Sequence, residues 1–243
     1  MPVESMVLTG NRFYKEHLFK IKTKISGAYN LTVQTVNGKV DLTDQYHCPT
    51  GRHGRLLATL MNRNHEPLTL WGLSKVDIGS NDVILDIGCG GGKTVNRLAR
   101  FATRRKVYGI DHSAEMVRFS KKVNKTLILQ NRVKIVEGCV EKMSFDPNFF
   151  DLVTGFETDY FWSNFQSALK EITRVLKPGG KLLLVNECGY NAKNAKMMED
   201  LKGHLLSPEE IHYIMESVGL GGFQLFAKAE SSWNAILAQK QFF

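Results

Sequence analysis

A strand that runs into a glycine-rich turn is the feature that most constrains the fold of this chain. Val83–Ile87 is a short, continuous apolar run, and the run Gly88–Gly92 follows it before a helical pattern begins near Thr94. Continuous apolar runs are typical of parallel strands that are buried on both faces. Glycines at the end of such a strand let a ligand approach the backbone closely. The segment therefore predicts a ligand-binding α/β domain.

Strands and helices alternate after this turn. We predict strands over 106–110, 133–136, 152–155 and 181–185, and helices over 94–102, 113–124 and 163–176. Ser207, Pro208 and Glu210 form the start signal of a last helix, and Gly219 is placed to end it. Alternation at this spacing indicates parallel strands joined by crossover helices.

Two further strands are predicted at the end of the chain, over 222–229 and 232–239, separated only by Glu230 and Ser231. Strands joined by so short a link must be antiparallel, because a parallel pair needs a long crossover. The predicted fold is therefore of the α/β class, a doubly wound mixed sheet of seven strands whose final pair is a hairpin.

The first third of the chain divides into two further segments. Residues 1–45 read as an N-terminal extension, in which Asn37-Gly38 predicts the turn of a small hairpin between 31–36 and 39–42. Residues 46–80 read as a helical cap, since apolar positions from Leu56 to Trp71 predict one or two helices broken near Pro67. The main α/β domain then covers 81–243.

The positive charge of the chain is concentrated in one stretch. The net charge is +8, and residues 93–134 contain twelve lysines and arginines opposed only by Asp111 and Glu115. We interpret the stretch as solvated faces of surface helices. An anionic partner such as RNA is the alternative, although aromatic residues that could stack on bases are sparse there.

The cysteines and the hydropathy of the chain limit which classes of protein remain possible. Cys48, Cys89, Cys139 and Cys188 form no C-x-x-C pair, so the sequence predicts no metal site and no disulfide scaffold. This usage suits a reducing compartment, and we expect a cytoplasmic protein. No apolar run of about 18 residues or more exists, so we expect no membrane span.

Two carboxylates flank the glycine-rich turn. Asp111 ends the next strand, 23 positions after Gly88, where a carboxylate can accept hydrogen bonds from both hydroxyls of a ribose. Asp86 precedes the turn, where it would repel a pyrophosphate but attract an ammonium group. The turn has G-x-G-x-G spacing, and it falls one residue short of the phosphate-binding G-x-x-x-x-G-K frame. The pattern therefore favours a nucleoside with a positively charged tail.

Three motifs in order carry a resemblance to a known family. They are Asp86-x-Gly88-x-Gly90-x-Gly92, the segment Gly109–Ser113 followed by Met116, and the segment Arg174–Leu182. Together they resemble the class I S-adenosylmethionine-dependent methyltransferases, and most closely the group that includes the ubiquinone and menaquinone C-methyltransferases. The resemblance covers residues 81–240, and it implies a Rossmann-like sheet of seven strands with a terminal hairpin.

The resemblance also implies S-adenosylmethionine as the cofactor and a role for individual residues. Gly88 and Gly90 would lie against the methionine part, and Asp86 near its amino group. Asp111 would bind the ribose, while His112 and Met116 would flank the adenine. The family often has an acidic residue after the third strand, but this chain has Cys139 and Val140 there. The full expected cofactor set is Asp86, Gly88, Cys89, Gly90, Asp111, His112, Met116, Cys139, Val140 and Phe156.

The loop after the fourth strand of the domain should face the transferred methyl group, because ligands of open α/β sheets lie outside the carboxyl ends of the strands. This loop, 154–162, lacks the pattern of base-amine methyltransferases. Glu157 and Tyr160 are candidates for positioning the substrate or accepting a proton. His65, in a segment similar to a branch of the family, is a candidate general base.

The predicted function is methyl transfer by in-line displacement to a small-molecule acceptor. Two alternatives stay open: an RNA or protein methyltransferase that uses the basic stretch 93–134, and a cofactor-binding module without catalysis. The sequence does not indicate the acceptor atom or the oligomeric state.

Overall fold

The computed structural model of the protein describes residues 32–35, 38–41, 45, 48–200 and 203–242. Most of the predicted N-terminal extension, residues 1–31, lies outside the described residues. Strands β1 (Thr32–Thr35) and β2 (Gly38–Asp41) pair in antiparallel fashion, with Thr35 opposite Gly38. This register places Gly38 in β2 and not in the turn where we expect it; Asn37 lies outside the described residues.

Two helices precede the main sheet. Helix α1 (Gly51–Asn64) is followed by α2 (Glu66–Leu73), which has Pro67 in its first turn. Proline is tolerated there because the first amide groups of a helix have no partner within it. Helix α2 packs against a strand of the main sheet, and the side chain that contacts Gly72 from that strand is Val185. The two helices therefore anchor a cap to the sheet.

Seven strands form the main sheet. They are β3 (Ile84–Ile87), β4 (Val107–Asp111), β5 (Val133–Glu137), β6 (Phe150–Phe156), β7 (Leu176–Asn186), β8 (Leu220–Ala227) and β9 (Asn234–Lys240). Their order across the sheet is β5-β4-β3-β6-β7-β9-β8. The first five are parallel, and β9 is antiparallel to both β7 and β8. The predicted doubly wound mixed sheet with a terminal hairpin is confirmed.

Six helices connect or flank these strands. They are α3 (Lys93–Phe101), α4 (Ala114–Val123), α5 (Lys125–Leu129), α6 (Phe165–Val175), α7 (Ala192–Asp200) and α8 (Pro208–Ser217). The predicted capping box is present at α8, where Ser207 and Glu210 each accept a hydrogen bond from the other's backbone amide. Gly219 follows the end of α8 with φ +87°, the left-handed conformation that suits a glycine cap.

The core has two layers, one on each face of the sheet. One layer packs Ile172 of α6 and Met215 of α8 against the sheet, and the other packs Leu98 of α3 against it. Ile84 and Leu85, adjacent in β3, are both fully buried, one in each layer. Strand β3 is therefore covered on both faces, as its continuous apolar sequence predicts.

Several boundaries differ from the prediction. Strand β7 begins at Leu176, directly after α6, because the segment before Lys181 continues the pairing with β6 through an irregularity. Strand β8 ends at Ala227 and β9 begins at Asn234, so the link between them has six residues and not two. Helices α5, of five residues, and α7, of nine residues, are not predicted. In the described part of the chain, no helix has the length and apolar character needed to cross a bilayer.

Candidate functional site

The glycine-rich turn lies at the carboxyl ends of β3 and β4, where open α/β sheets bind ligands. Gly88, Gly90 and Gly92 have φ values of +62°, +46° and +76°. These left-handed conformations are unstrained only in glycine. At two of the three glycines, an added Cβ would meet a neighbouring side chain: Thr158 at Gly88 and Ser120 at Gly92. The space at Gly90 is open, since the nearest atom to an added Cβ is 3.8 Å away.

Helix α1 covers this turn. The Nδ2 atom of Asn62 donates to the carbonyl oxygen of Gly91 at 3.1 Å. The Oγ atom of Ser113 donates to the carbonyl oxygen of Pro49, just before α1, at 2.6 Å. An ion pair of 2.7 Å joins Arg55 of α1 to Glu115 of α4. These contacts close a cleft between the cap and the carboxyl edge of the sheet.

Asp111 holds the turn in place. Its Oδ2 atom accepts from the amide of Gly90 at 2.8 Å, and its Oδ1 atom accepts from the amide of Ser113 at 2.9 Å. Asp111 is only 6% exposed, and it lines the cleft. Burial raises the pKa of this carboxyl, while the two amide hydrogen bonds act in the opposite direction. Each oxygen keeps a second lone pair, so the carboxylate can still accept hydrogen bonds from a ligand.

Asp86 lies beside the turn and is almost completely buried. Its Oδ1 atom accepts from Thr154 Oγ1 at 2.8 Å. Burial raises the pKa of Asp86 to about 7, the hydrogen bond from Thr154 opposes this shift, and the charge of Asp111 adds to it. A cationic group in the cleft would stabilise the ionised carboxylate. The surroundings of Asp86 therefore suit a bound ammonium.

The structure brings most of the expected cofactor residues together. The cleft is lined by Asp86, Gly88, Cys89, Gly90, Asp111, His112, Met116 and Phe156. Cys139 and Val140 are not among the described residues that line it: Cys139 is exposed beyond the end of β5, and Val140 packs into the core. The position of Asn62 over the turn is absent from the expected set, because it depends on how the cap packs.

Two residues that line the cleft, His65 and Glu157, belong to a trio of titratable groups. The ligand atoms of His65, Glu157 and Glu187 all lie within 4.8 Å of one another. Glu157 follows the end of β6 and Glu187 follows the end of β7, the next strand. The sequence predicts roles for His65 and Glu157 but not for Glu187, although the position of Glu187 after a predicted parallel strand is the signal that could have found it.

Two features mark Glu157 within the trio. It has a φ of +56°, a strained conformation for a residue with a side chain, and it is 7% exposed. Its Oε1 atom accepts a short hydrogen bond from the amide of Glu187. Burial lowers the pKa of His65 to about 4, so its imidazole is neutral at pH 7. The trio can accept a proton, and its donor atoms are of the kinds that hold a divalent cation, a chemistry that the sequence analysis does not predict.

Tyr160 does not join this trio. It is 2% exposed, and its hydroxyl lies 3.2 Å from the amide and 3.4 Å from the carbonyl oxygen of Cys188. Its side chain is placed on the far side of the turn Asp159–Phe161, against a second cavity. Backbone groups already engage its hydroxyl, so Tyr160 stays a predicted substrate-positioning residue that lies apart from the trio.

Part of the basic stretch 93–134 has partners inside the fold. Arg97 pairs with Glu66 at 2.7 Å, and Arg118 pairs with Glu115 at 2.6 Å. Arg132 donates to the carbonyl oxygens of Ala99 and Ala102. The first contact joins α3 to α2, the second lies within α4, and the third holds the residue before the edge strand β5 against the end of α3. Structural roles therefore account for some of the local charge.

Comparisons with known proteins agree with this geometry. Residues 85–184 match the model of a methyltransferase domain family. The chain is 35% identical to a sterol 24-C-methyltransferase of Kluyveromyces lactis over 106 residues, covering 44% of this chain and 28% of that protein. It is 30% identical to a demethylmenaquinone methyltransferase of Bacillus mycoides over 162 residues, covering 65% and 62%. The chain thus spans less than two-thirds of the length of either relative.

Solved structures share the fold. The YcgJ protein of Bacillus subtilis superposes with a TM-score of 0.64 at 17% identity, covering 74% of this chain and all of that one. A geranyl diphosphate C-methyltransferase of Streptomyces coelicolor, solved with S-adenosylhomocysteine, gives a TM-score of 0.64 at 15% identity and covers 72% and 77%. Residues 85–184 therefore match a methyltransferase domain, and the sheet and glycine-rich cleft to which they belong have the fold of the class I, S-adenosylmethionine-dependent methyltransferases.

Proposed function

We propose that the protein is an enzyme that transfers a methyl group from S-adenosylmethionine to a small-molecule acceptor. One observation carries the proposal: a glycine turn bound to the carboxylate of Asp111 lines the same cleft as His65 and Glu157, whose ligand atoms lie within 4.8 Å of each other and of Glu187. The first part suits an adenosyl group, and the second supplies groups that can act on an acceptor. When bound, the cofactor supplies an activated methyl group on a sulfonium.

The residues of the turn bind and orient. The open space at Gly90 admits a ligand against the backbone, and Asp111 accepts hydrogen bonds from ribose hydroxyls. Asp86 pairs with the ammonium of the methionine part. In-line transfer requires alignment above all, and alignment of two reactants contributes about 7–11 kcal/mol in favourable cases. The cap helix α1 helps to exclude water by closing over the turn.

The trio accepts the proton that the acceptor molecule loses. His65 is neutral at pH 7, so it offers a lone pair to an acceptor that loses a proton as it gains the methyl group. Burial disfavours the imidazolium that forms, and the carboxylates of Glu157 and Glu187, which lie beside it, are the groups that would oppose this effect during proton transfer.

A small acceptor is favoured over RNA or protein. Helices α1 and α2 cover the cleft, which leaves limited room for a macromolecule, and the basic stretch lies toward the β5 edge. The similar proteins are named for sterol, demethylmenaquinone and geranyl diphosphate substrates, all of which are small. These names support a small, largely apolar acceptor for this chain too.

The test is methyl transfer from S-adenosylmethionine across a panel of small acceptors, followed as S-adenosylhomocysteine formed. We expect acceptor-dependent turnover, and we expect His65→Gln and Glu157→Gln to reduce kcat by about 100-fold or more, as loss of a proton acceptor does. Affinity for S-adenosylhomocysteine should change less than twofold in both variants by calorimetry, a bound we set at roughly 0.4 kcal/mol. Cofactor binding without turnover on any acceptor would favour a non-catalytic module instead.

A further inference from the structure

The trio of His65, Glu157 and Glu187 combines side chains that bind transition metals. One imidazole nitrogen and two carboxylate oxygens, one atom from each residue, all lie within 4.8 Å of one another. Zinc binds to both kinds of group, and a zinc ion that faces a substrate has three protein ligands and one open position. The trio therefore has the ligand types and the ligand number of a zinc site that opens into a cleft.

The three ligands come from separate segments of the chain. His65 lies between α1 and α2, Glu157 follows β6, and Glu187 follows β7. Strands β6 and β7 are parallel neighbours, and Phe156 is opposite Val185 in their register. The carboxyl ends of these strands therefore place the two glutamates side by side, and the cap supplies the histidine. Such a set differs from a run of acidic residues in one loop, because it forms only when the fold is complete.

The spacing of the trio is close to the spacing around a bound ion. Zinc lies about 2.0–2.2 Å from nitrogen and oxygen ligands, so two ligand atoms of a tetrahedral site are about 3.4 Å apart. The ligand atoms of the trio lie within 4.8 Å of one another. A movement of about 1 Å by each side chain brings them to the separation of a zinc site. Side-chain rotation can supply a movement of this size.

The carboxylate of Glu157 is already oriented. The backbone amide of Glu187 donates a short hydrogen bond to the Oε1 atom of Glu157. Carboxylates that bind metal ions are themselves held by hydrogen bonds of this kind. A carboxylate has about four lone-pair sites on its two oxygens, so Glu157 keeps the capacity to bind a cation as well.

The side chains of His65 and Glu187 are available to a ligand. In the part of the chain that the structure describes, neither side chain makes a hydrogen bond or an ion pair. Both residues are partly buried, and His65 lines the cleft. Like charges at close range disfavour each other, so a cation between the carboxylates of Glu157 and Glu187 would remove a repulsion.

The ligand types favour zinc over magnesium and calcium. Mg²⁺ and Ca²⁺ take oxygen ligands, and both need about six or more of them. An imidazole nitrogen suits zinc and other transition metals instead. The trio offers one such nitrogen and a small number of oxygens, which is the composition of a zinc site.

We propose that His65, Glu157 and Glu187 bind one Zn²⁺ ion, and that zinc bound there inhibits methyl transfer. The inhibition rests on the proposed function, in which a lone pair of His65 accepts the proton of the acceptor molecule. A zinc ion occupies the same lone pair, so the bound metal and the proton exclude each other. The binding of zinc does not depend on the reaction, and it can be tested separately.

Calorimetry with zinc chloride tests the binding, on full-length protein from which a chelator has removed any metal. We expect zinc to bind at the trio and magnesium chloride to give no binding. Glu187→Gln should weaken zinc binding by about tenfold or more, because even groups that only support a metal ligand contribute this much. Glu137→Gln is the matched control, since Glu137 also lies at the carboxyl end of a parallel strand but is exposed and outside the trio. The control should match the wild-type protein.

Two more variants make the test independent of side effects. The thiols of Cys48 and Cys139 are exposed and are competing ligands for zinc. A protein with Cys48→Ser and Cys139→Ser together should retain the zinc affinity of the trio within about twofold. His65→Gln should lose zinc affinity to the same extent as Glu187→Gln, so the test does not depend on one variant. Unchanged affinity for S-adenosylhomocysteine shows that each variant is folded.

Equal zinc affinity in Glu187→Gln and Glu137→Gln would overturn the site, and so would loss of zinc binding in the serine variant. Turnover tests the inhibition. Saturating zinc should reduce turnover of any acceptor found by about 100-fold or more, as loss of a proton acceptor does, and a chelator should restore it. Higher turnover with zinc bound would overturn the inhibitory role. A protein that binds zinc through the trio but does not bind S-adenosylhomocysteine would overturn the proposed function and the inhibition, and the zinc site would stand.

Discussion

The two halves of the sheet differ in how their buried polar groups are paired by hydrogen bonds. In the half formed by β3, β4 and β5, the carboxylate of Asp111 has two backbone partners before any ligand arrives. In the half formed by β6 to β9, Asp159, Trp162 and Asn186 each leave one buried polar atom without a partner. The first half is organised in advance for one cofactor, whereas the second keeps buried polar atoms that the fold does not pair.

The largest expected effect compares one glycine from each half. Gly90 and Gly222 both have positive φ values, +46° and +65°, and an added Cβ has open space at both. Alanine at either position should cost about 1–3 kcal/mol of unfolding free energy, because both adopt a left-handed backbone. Only Gly90→Ala places a methyl group where the cofactor would approach, so it should also weaken S-adenosylhomocysteine binding by tenfold or more, about 1.4 kcal/mol.

Calorimetry for affinity and chemical denaturation for stability separate these contributions. Equal loss of affinity in Gly90→Ala and Gly222→Ala would show that backbone strain alone reduces binding. That result would contradict a cofactor site at Gly90.

A smaller effect compares one buried carboxyl from each half. Burial raises the pKa of Asp86 to about 7 and that of Asp159 to about 6. In the unfolded chain these groups release their protons near the ordinary value of 3.8. Between those values the folded protein binds more protons than the unfolded chain, so stability falls as pH rises through this window. Above pH 7 the unfolding free energy is lowered by the full amount.

Asparagine removes this cost. We expect Asp86→Asn and Asp159→Asn to raise the unfolding free energy at pH 8 by on the order of 2 kcal/mol, since one pKa unit corresponds to about 1.4 kcal/mol. The gain should disappear toward pH 4. Only Asp86→Asn should weaken S-adenosylhomocysteine binding, because Asp86 lines the cleft. Thermal unfolding at pH 4, 6 and 8 checks the trend, and a gain that grows toward low pH would contradict the assigned direction.

Sequence reasoning succeeds in the first half because its determinants are local. The glycines of the turn follow β3 directly, and Asp111 ends β4, so both could be found from runs of a few residues. Their positive φ values and hydrogen bonds match what such a motif requires. The seven strands and the antiparallel final pair were predictable for the same reason, since each strand has its own local signal and the last two are close in sequence.

The second half was less predictable because its site is assembled from distant segments. Asp159, Asn186 and Leu225 meet around one cavity although they are far apart in the chain. Glu187 reaches His65 only because β7 lies beside β6 and the cap packs over both. No local sequence pattern predicts a site of this kind. The contact of Tyr160 with Cys188 could not be predicted for the same reason, since it depends on tertiary packing.

The central claim is that the glycine turn and Asp111 bind an adenosyl cofactor through its ribose. The most direct measurement is calorimetry on wild-type protein and Asp111→Ala, each with S-adenosylhomocysteine and with its analogue that lacks both ribose hydroxyls. If Asp111 accepts from the ribose, removing the hydroxyls should cost the wild-type protein about 1–3 kcal/mol and the variant much less. An equal loss in the two proteins would place the ribose away from Asp111 and contradict the account.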